Sequence, residues 1–155
     1  MTLVVIEHAH RTDTGRQRHA NEDSYFARAP VFAVADGMGG AQAGEVASRI
    51  AAGAFQRGAD SQAPPESRLE QIALNANREI HELAQRDSSR AGMGTTLTAA
   101  MVQGNEVSLG HVGDSRAYVL RDGQLKRLTK DHSLVEELRR QGRLTEEEAE
   151  EHPQR

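Results

Sequence analysis

Asp36 stands where an apolar run gives way to glycines, in VFAVADGMGGAQAG (Val31 to Gly44). A carboxylate fixed at the end of a buried strand and facing an open loop is a common seat of chemistry, because the strand holds it while the loop admits solvent. Two other stretches set carboxylates in a similar context: RHANED (Arg18 to Asp23) and GHVGDSR (Gly110 to Arg116). Carboxylate and carbonyl oxygens suit hard cations such as magnesium and manganese. A glycine after Asp36 lets the backbone carbonyl of Gly37 come close to such an ion. Asp36 therefore reads first as a metal ligand.

Plainer readings stand beside that one. Taken singly, ADGMGG is a strand followed by a flexible turn, and GDS is a turn. Glu22 and Asp23 could be a solvated pair. In an extended segment Arg18 and Glu22 point one way and Asp23 the other, so a salt bridge is the simplest account. His8 and His10 would share a strand face, but no third ligand is in view, so they, His111 and His132 read as surface or packing residues. A glycine-loop phosphate site over DGMGGAQAG is weak, because no lysine follows the glycines.

Several elements must position these residues. Residues 2–12 and 24–35 are rich in β-branched and aromatic side chains and read as sheet, with ARAP (Ala27 to Pro30) as a break. From Gln42 the period becomes helical, with Val46, Ile50 and Ala54 beside Ala47, Ala51 and Phe55. A second helix is expected from Glu66 to about Asp87, where Leu69, Ile72, Ala76, Ile80 and Leu83 form one apolar stripe. TTLTAAMV, EVSLGHV, SRAYVLR and QLKRL read as an antiparallel meander with hairpin turns at Gly104-Asn105 and Asp122-Gly123. Capping-box spacings at Ser133 to Glu136 and Thr145 to Glu148 predict two short C-terminal helices. The order of elements is that of an α+β domain with helices on antiparallel sheet, not a doubly wound parallel fold.

Composition narrows the classes. A chain of 155 residues forms one domain that buries about 70% of its extended surface. The formal charge is −4, and the arginines are scattered, so no basic face for nucleic acid emerges. Without cysteine there is no disulfide, thiolate metal site or cysteine nucleophile. MTLVVIE lacks the features of a signal peptide and no 18-residue apolar span occurs, which reads as a soluble, cytoplasmic chain with no membrane partner.

Taken in order, TDTGRQRHANEDS, VFAVADGMGGAQAGEVAS, GMGTTLTAAMV, VSLGHVGDSRAYVLRDGQL and LTKDHSLVEEL resemble successive motifs of the metal-dependent type 2C serine/threonine protein phosphatases, in their bacterial branch. The resemblance implies an antiparallel β-sandwich flanked by helices and a centre of two magnesium or manganese ions. By resemblance, Asp36 bridges the ions and Gly37 ligates one through its carbonyl. Glu22 sits on the metal side and Asp23 supports it. Arg18 holds the substrate phosphate, and Asp114 matches a position that helps bind a third ion.

The implied activity is hydrolysis of phosphoserine and phosphothreonine in proteins by metal-activated water, with phosphorylated proteins, including a serine/threonine kinase, as partners. Where some relatives carry a histidine that protonates the leaving group, this chain has Met38. Family domains continue past the point where residues 1–155 stop, and residues 132–155 resemble the start of the mobile flap. The chain thus reads as one incomplete catalytic domain, the C-terminal part missing. The alternative is a non-catalytic fragment or regulatory binding module of the same fold, prone to self-association through an uncovered edge.

Overall fold

The computed structural model describes residues 2–16, 20–39, 43–58 and 62–132. Arg18 and the two predicted C-terminal helices lie outside them. The described residues fall into two compact units, divided after His111.

The first unit is a sheet backed by two helices. Strands β1 (Asp23–Arg28) and β2 (Val31–Met38) form a hairpin. Helices α1 (Ala43–Gly58) and α2 (Pro65–Arg86) follow, and the chain re-enters the sheet as β3 (Gly94–Thr95), β4 (Leu97–Gln103) and β5 (Glu106–Val112). The strand order is β1-β2-β4-β5, with β3 pairing the end of β2. Both helices fall within a residue or two of their sequence boundaries. α2 opens with a proline in its first turn, where the missing N–H costs nothing, and its stripe is the expected one.

Strand alternation decides which face of β2 does what. Val31, Ala33, Ala35 and Gly37 are buried, whereas Val34 and Met38 are exposed. The buried face packs on α1, whose inward positions Ala43, Gly44, Ala47, Ala51 and Ala54 are all small, so the helix lies close to the sheet. Phe55 ends this row, 1% exposed, its ring centroid 5.9 Å from that of Phe26. Truncating it would leave a cavity in the main cluster, so Phe55→Ala is expected to cost about 3–5 kcal/mol in a denaturant titration. One polar contact crosses this seam. Ser48, fully buried, donates to the Glu45 carbonyl at 3.2 Å, so its contact of 3.0 Å with Ser24 takes a proton from Ser24.

Two expectations need correction. Residues 2–12 join no ladder. Leu3 N donates to Gly104 O, and His8 and His10 lay their rings against Phe32 and Tyr25. A β-branched composition favours strand, but a strand is defined by a hydrogen-bonded neighbouring strand, which residues 2–12 lack among the described residues. The meander is also not one sheet among the described residues. β6 (Tyr118–Arg121) and β7 (Gln124–Arg127) form a separate two-stranded sheet in the second unit.

The β6–β7 turn is as expected, with Asp122 and Gly123 at φ 52° and 75°, the double left-handed pair of a type I′ hairpin. Below it the second unit is closed by Leu128 N to Ala117 O, Ala117 N to the Thr129 hydroxyl and His132 N to Gly113 O. Arg116 grips Asp131 through two bonds, Nε at 3.0 Å and Nη2 at 2.7 Å, and this pairing raises the guanidinium pKa above its ordinary value. No helix among the described residues is long and apolar enough to cross a membrane.

Candidate metal centre

The end of the β1–β2 hairpin gathers most of the acidic residues singled out in the sequence. Asp36 is held by its backbone: its N–H donates to the Thr96 hydroxyl at 2.9 Å and its carbonyl accepts from Thr96 N at 2.9 Å. Gly37 N donates to the Glu22 carbonyl at 3.1 Å on the other edge. β2 is thus pinned from both sides at the point where it carries the carboxylate.

Register does what sequence could not. Asp23 is the direct cross-strand partner of Asp36. Because Gly37 N donates to the Glu22 carbonyl, the next pair along, Asp23 and Asp36, is a non-hydrogen-bonded one, in which Cα atoms lie about 4.5 Å apart and side chains are closest. Opposed residues share a face, so two carboxylates project together from the side away from the helices. Like charges so placed repel, and a cation between them reverses the sign. The sequence reading placed Asp23 in a supporting role; only the pairing puts it beside Asp36.

Glu22 lies on the opposite face. A Cβ added at Gly44 would come within 2.5 Å of Glu22 Oε2, so this carboxylate rests on the first turn of α1, where the helix dipole favours negative charge. Gly44 was read in the sequence only as part of a motif. Its function is steric: Gly37 and Gly44 meet backbone to backbone, and a Cβ on Gly37 would lie 1.8 Å from Gly44 O.

Asp114 belongs to the second unit, exposed in a bend after Gly113, whose φ is 103°. Arg18 is not among the described residues. Met38 is 55% exposed at the end of β2, paired with Gly94. His111 accepts or donates through Nδ1 at 2.8 Å from the Thr98 hydroxyl, in keeping with a packing role.

The donors fit a hard cation, since all are carboxylate or carbonyl oxygens. They are a partial set: no group of three or more histidines, aspartates and glutamates close enough to hold an ion occurs among the described residues.

A two-layered α+β unit, with an acidic pair at the glycine-marked end of its hairpin, is the architecture of a known class. The protein phosphatase 2C family model matches residues 13–155, and the chain belongs to that family. Among its relatives it is 44% identical to the serine/threonine protein phosphatase PstP of Mycobacterium tuberculosis, over 98% of this chain and 30% of that protein. It is 40% identical to the serine/threonine phosphatase stp of Listeria innocua, over 94% of this chain and 62% of that one. The crystal structure of the M. tuberculosis phosphatase superposes with a TM-score of 0.80, covering 94% of this chain and 63% of that chain. The catalytic domain of PstP with two manganese ions gives 0.78 at 43% identity, over 90% of this chain and 61% of that one. This chain therefore spans less than two thirds of the length of these relatives.

Proposed function

We propose that the protein is a metal-dependent phosphatase hydrolysing phosphoserine and phosphothreonine in other proteins, with residues 1–155 as one incomplete catalytic domain. The Asp23–Asp36 pair at the end of the hairpin carries this reading. Manganese, as in the PstP structure, or magnesium would be held by Asp36 and the Gly37 carbonyl, with Asp23 and Glu22 nearby and Asp114 contributing to a third ion. When bound, such ions polarise the phosphoryl oxygens and supply a hydroxide near neutral pH. This chain's residues do the rest. Asp36 and Asp23 bring the negative charge that retains the cations, and Thr96 and Glu22 keep that charge in place. Arg18 offers a forked two-donor grip on phosphate. Met38 has no proton to give, so water or another acid protonates the leaving alkoxide. A cytoplasmic location, a signalling role and a serine/threonine kinase among the substrates belong to the same proposal.

The test is manganese-dependent release of p-nitrophenol from p-nitrophenyl phosphate by the full-length protein, abolished by EDTA and restored by manganese. A folded full-length protein without such turnover would sink the reading. Arg18→Ala separates the roles: KM is expected to rise about tenfold with manganese affinity unchanged, since a cation does not ligate a cation. Loss of manganese binding instead would remove Arg18 from the phosphate.

A second reading, of residues 1–155 as a non-catalytic piece, is favoured by the partial ligand set. Calorimetry on this chain and on the full-length protein decides between them. Weaker manganese binding and negligible turnover by residues 1–155 support the second reading, and equal affinity and activity refute it.

A further inference from the structure

A pocket of about 250 Å³ opens between the last turn of α1 and the middle of α2, lined by Ala54, Arg57, Gly58, Asn75, Arg78 and Glu79. It is open to solvent on one side, so a ligand can enter it from the surface. On the α1 side the small residues Ala54 and Gly58 let α2 approach closely, with Ile72 against Gly58. Arg57 Nη2 donates to Glu79 Oε2 at 2.6 Å, with the two side chains 59% and 46% exposed, a pair of the weak surface kind. Arg57 is thereby accounted for, by its ion pair and its place in the last turn of the helix. Arg78 is not: Nη2 donates to Asn75 Oδ1 at 2.5 Å, a neutral acceptor. Two guanidinium groups thus line the pocket with one carboxylate, and Asn75 keeps both N–H donors of its amide.

We propose that this pocket binds the phosphate of a phosphorylated side chain. Arg78 supplies the forked grip, Asn75 a further N–H, and Arg57 a second charge as Glu79 gives way to the ligand. A peptide carboxylate offers the same geometry with one charge, against about −2 for phosphate, so the excess of positive charge favours phosphate. Arg57 lies 13 residues along α1 from Gly44, about 20 Å at helical rise, so a phosphate here leaves the Asp23–Asp36 end of the sheet open. The pocket is then a docking point for a second phosphorylated residue of a protein substrate. That source for the ligand rests on the phosphatase reading; the binding does not.

The full-length protein in EDTA is titrated with a phosphothreonine peptide, and the arginine Nε–Hε signals are followed by NMR. The signals of Arg57 and Arg78 are expected to move. Arg78→Ala should weaken binding about fivefold or more, and Glu79→Gln, which releases Arg57, should tighten it about twofold. The same peptide with glutamate for phosphothreonine should bind about fivefold more weakly. Manganese-dependent turnover of p-nitrophenyl phosphate should be the same in both variants; its absence in the wild type would strike the phosphatase reading and leave the titration standing. Signals unmoved at about 10 mM peptide, an affinity indifferent to Arg78→Ala, or weaker binding by Glu79→Gln would overturn the proposal. Equal affinity for the glutamate peptide would overturn phosphate as its ligand.

Discussion

Asp36→Asn in the full-length protein is expected to fold normally and to lose about 100-fold or more of its manganese-dependent turnover. The outer partners of metal ligands are themselves worth about 10–100-fold, so a residue proposed to touch both ions should be worth at least the upper end. Folding should survive because asparagine keeps the size and shape of the side chain and the strand at position 36 is pinned through its backbone. Its N–H and carbonyl bond to Thr96, and an asparagine makes both bonds unchanged. An asparagine is nearly isosteric with aspartate and keeps the cross-strand position opposite Asp23, so the variant without metal should be about as stable as the wild type. That combination separates a ligand from a structural aspartate, whose loss would destabilise the metal-free protein. Thermal unfolding in EDTA and calorimetry with manganese read the two halves. Turnover within about tenfold of wild type in a folded Asp36→Asn protein would remove the assignment.

The helices were legible in the sequence because a 3.6-residue period is local. Leu69, Ile72 and Ala76 are all buried in α2, and Ile80 and Leu83 pack against a second cluster of Ala43, Ala47 and Met93. The hairpin turns at Gly104 and at Asp122-Gly123 were legible for the same reason, since positive φ at Gly104, Asp122 and Gly123 is a local property of the turn residues. Strand partnership is not local. Residues 2–12 have strand composition and no ladder, and nothing in HANEDSYFARAPVFAVADG states that Asp23 rather than Glu22 faces Asp36. Moving the register by one residue exchanges them, and register is set by the buried alternation Val31, Ala33, Ala35 meeting α1. The acidic residues could therefore be named from the sequence, but their grouping had to come from the sheet. Gly44 was invisible for a different reason: its significance is the space it leaves unfilled.

Gly37→Ala tests that space. Gly37 lies in β2 with no left-handed backbone, so alanine has no conformational objection to the site and any cost is steric. The added Cβ would lie 1.8 Å from Gly44 O, 2.4 Å from Gly44 C and 2.9 Å from Glu22 O. All three are backbone atoms, so no rotamer change relieves the overlap. Either α1 draws back from the sheet or β1 parts from β2, and either motion separates Glu22 from the first turn of α1 and tilts the strand that carries Asp36. Overpacking of a tight seam costs about 1–3 kcal/mol, and a backbone-to-backbone clash belongs at the upper end, equivalent to about 6–12 °C in Tm for a domain of this size. Gly53 supplies the control. It sits inside α1 with only Arg57 Nη1 near its absent Cβ, at 3.6 Å, so Gly53→Ala should gain about 0.5–1 kcal/mol from helix propensity alone. The two substitutions add the same methyl group and are expected to move Tm in opposite directions, and Gly37→Ala alone should also weaken manganese binding. A Gly37→Ala protein as stable as wild type would mean that α1 does not rest on β2 at this point, and that the carboxylates are held without the glycine seam.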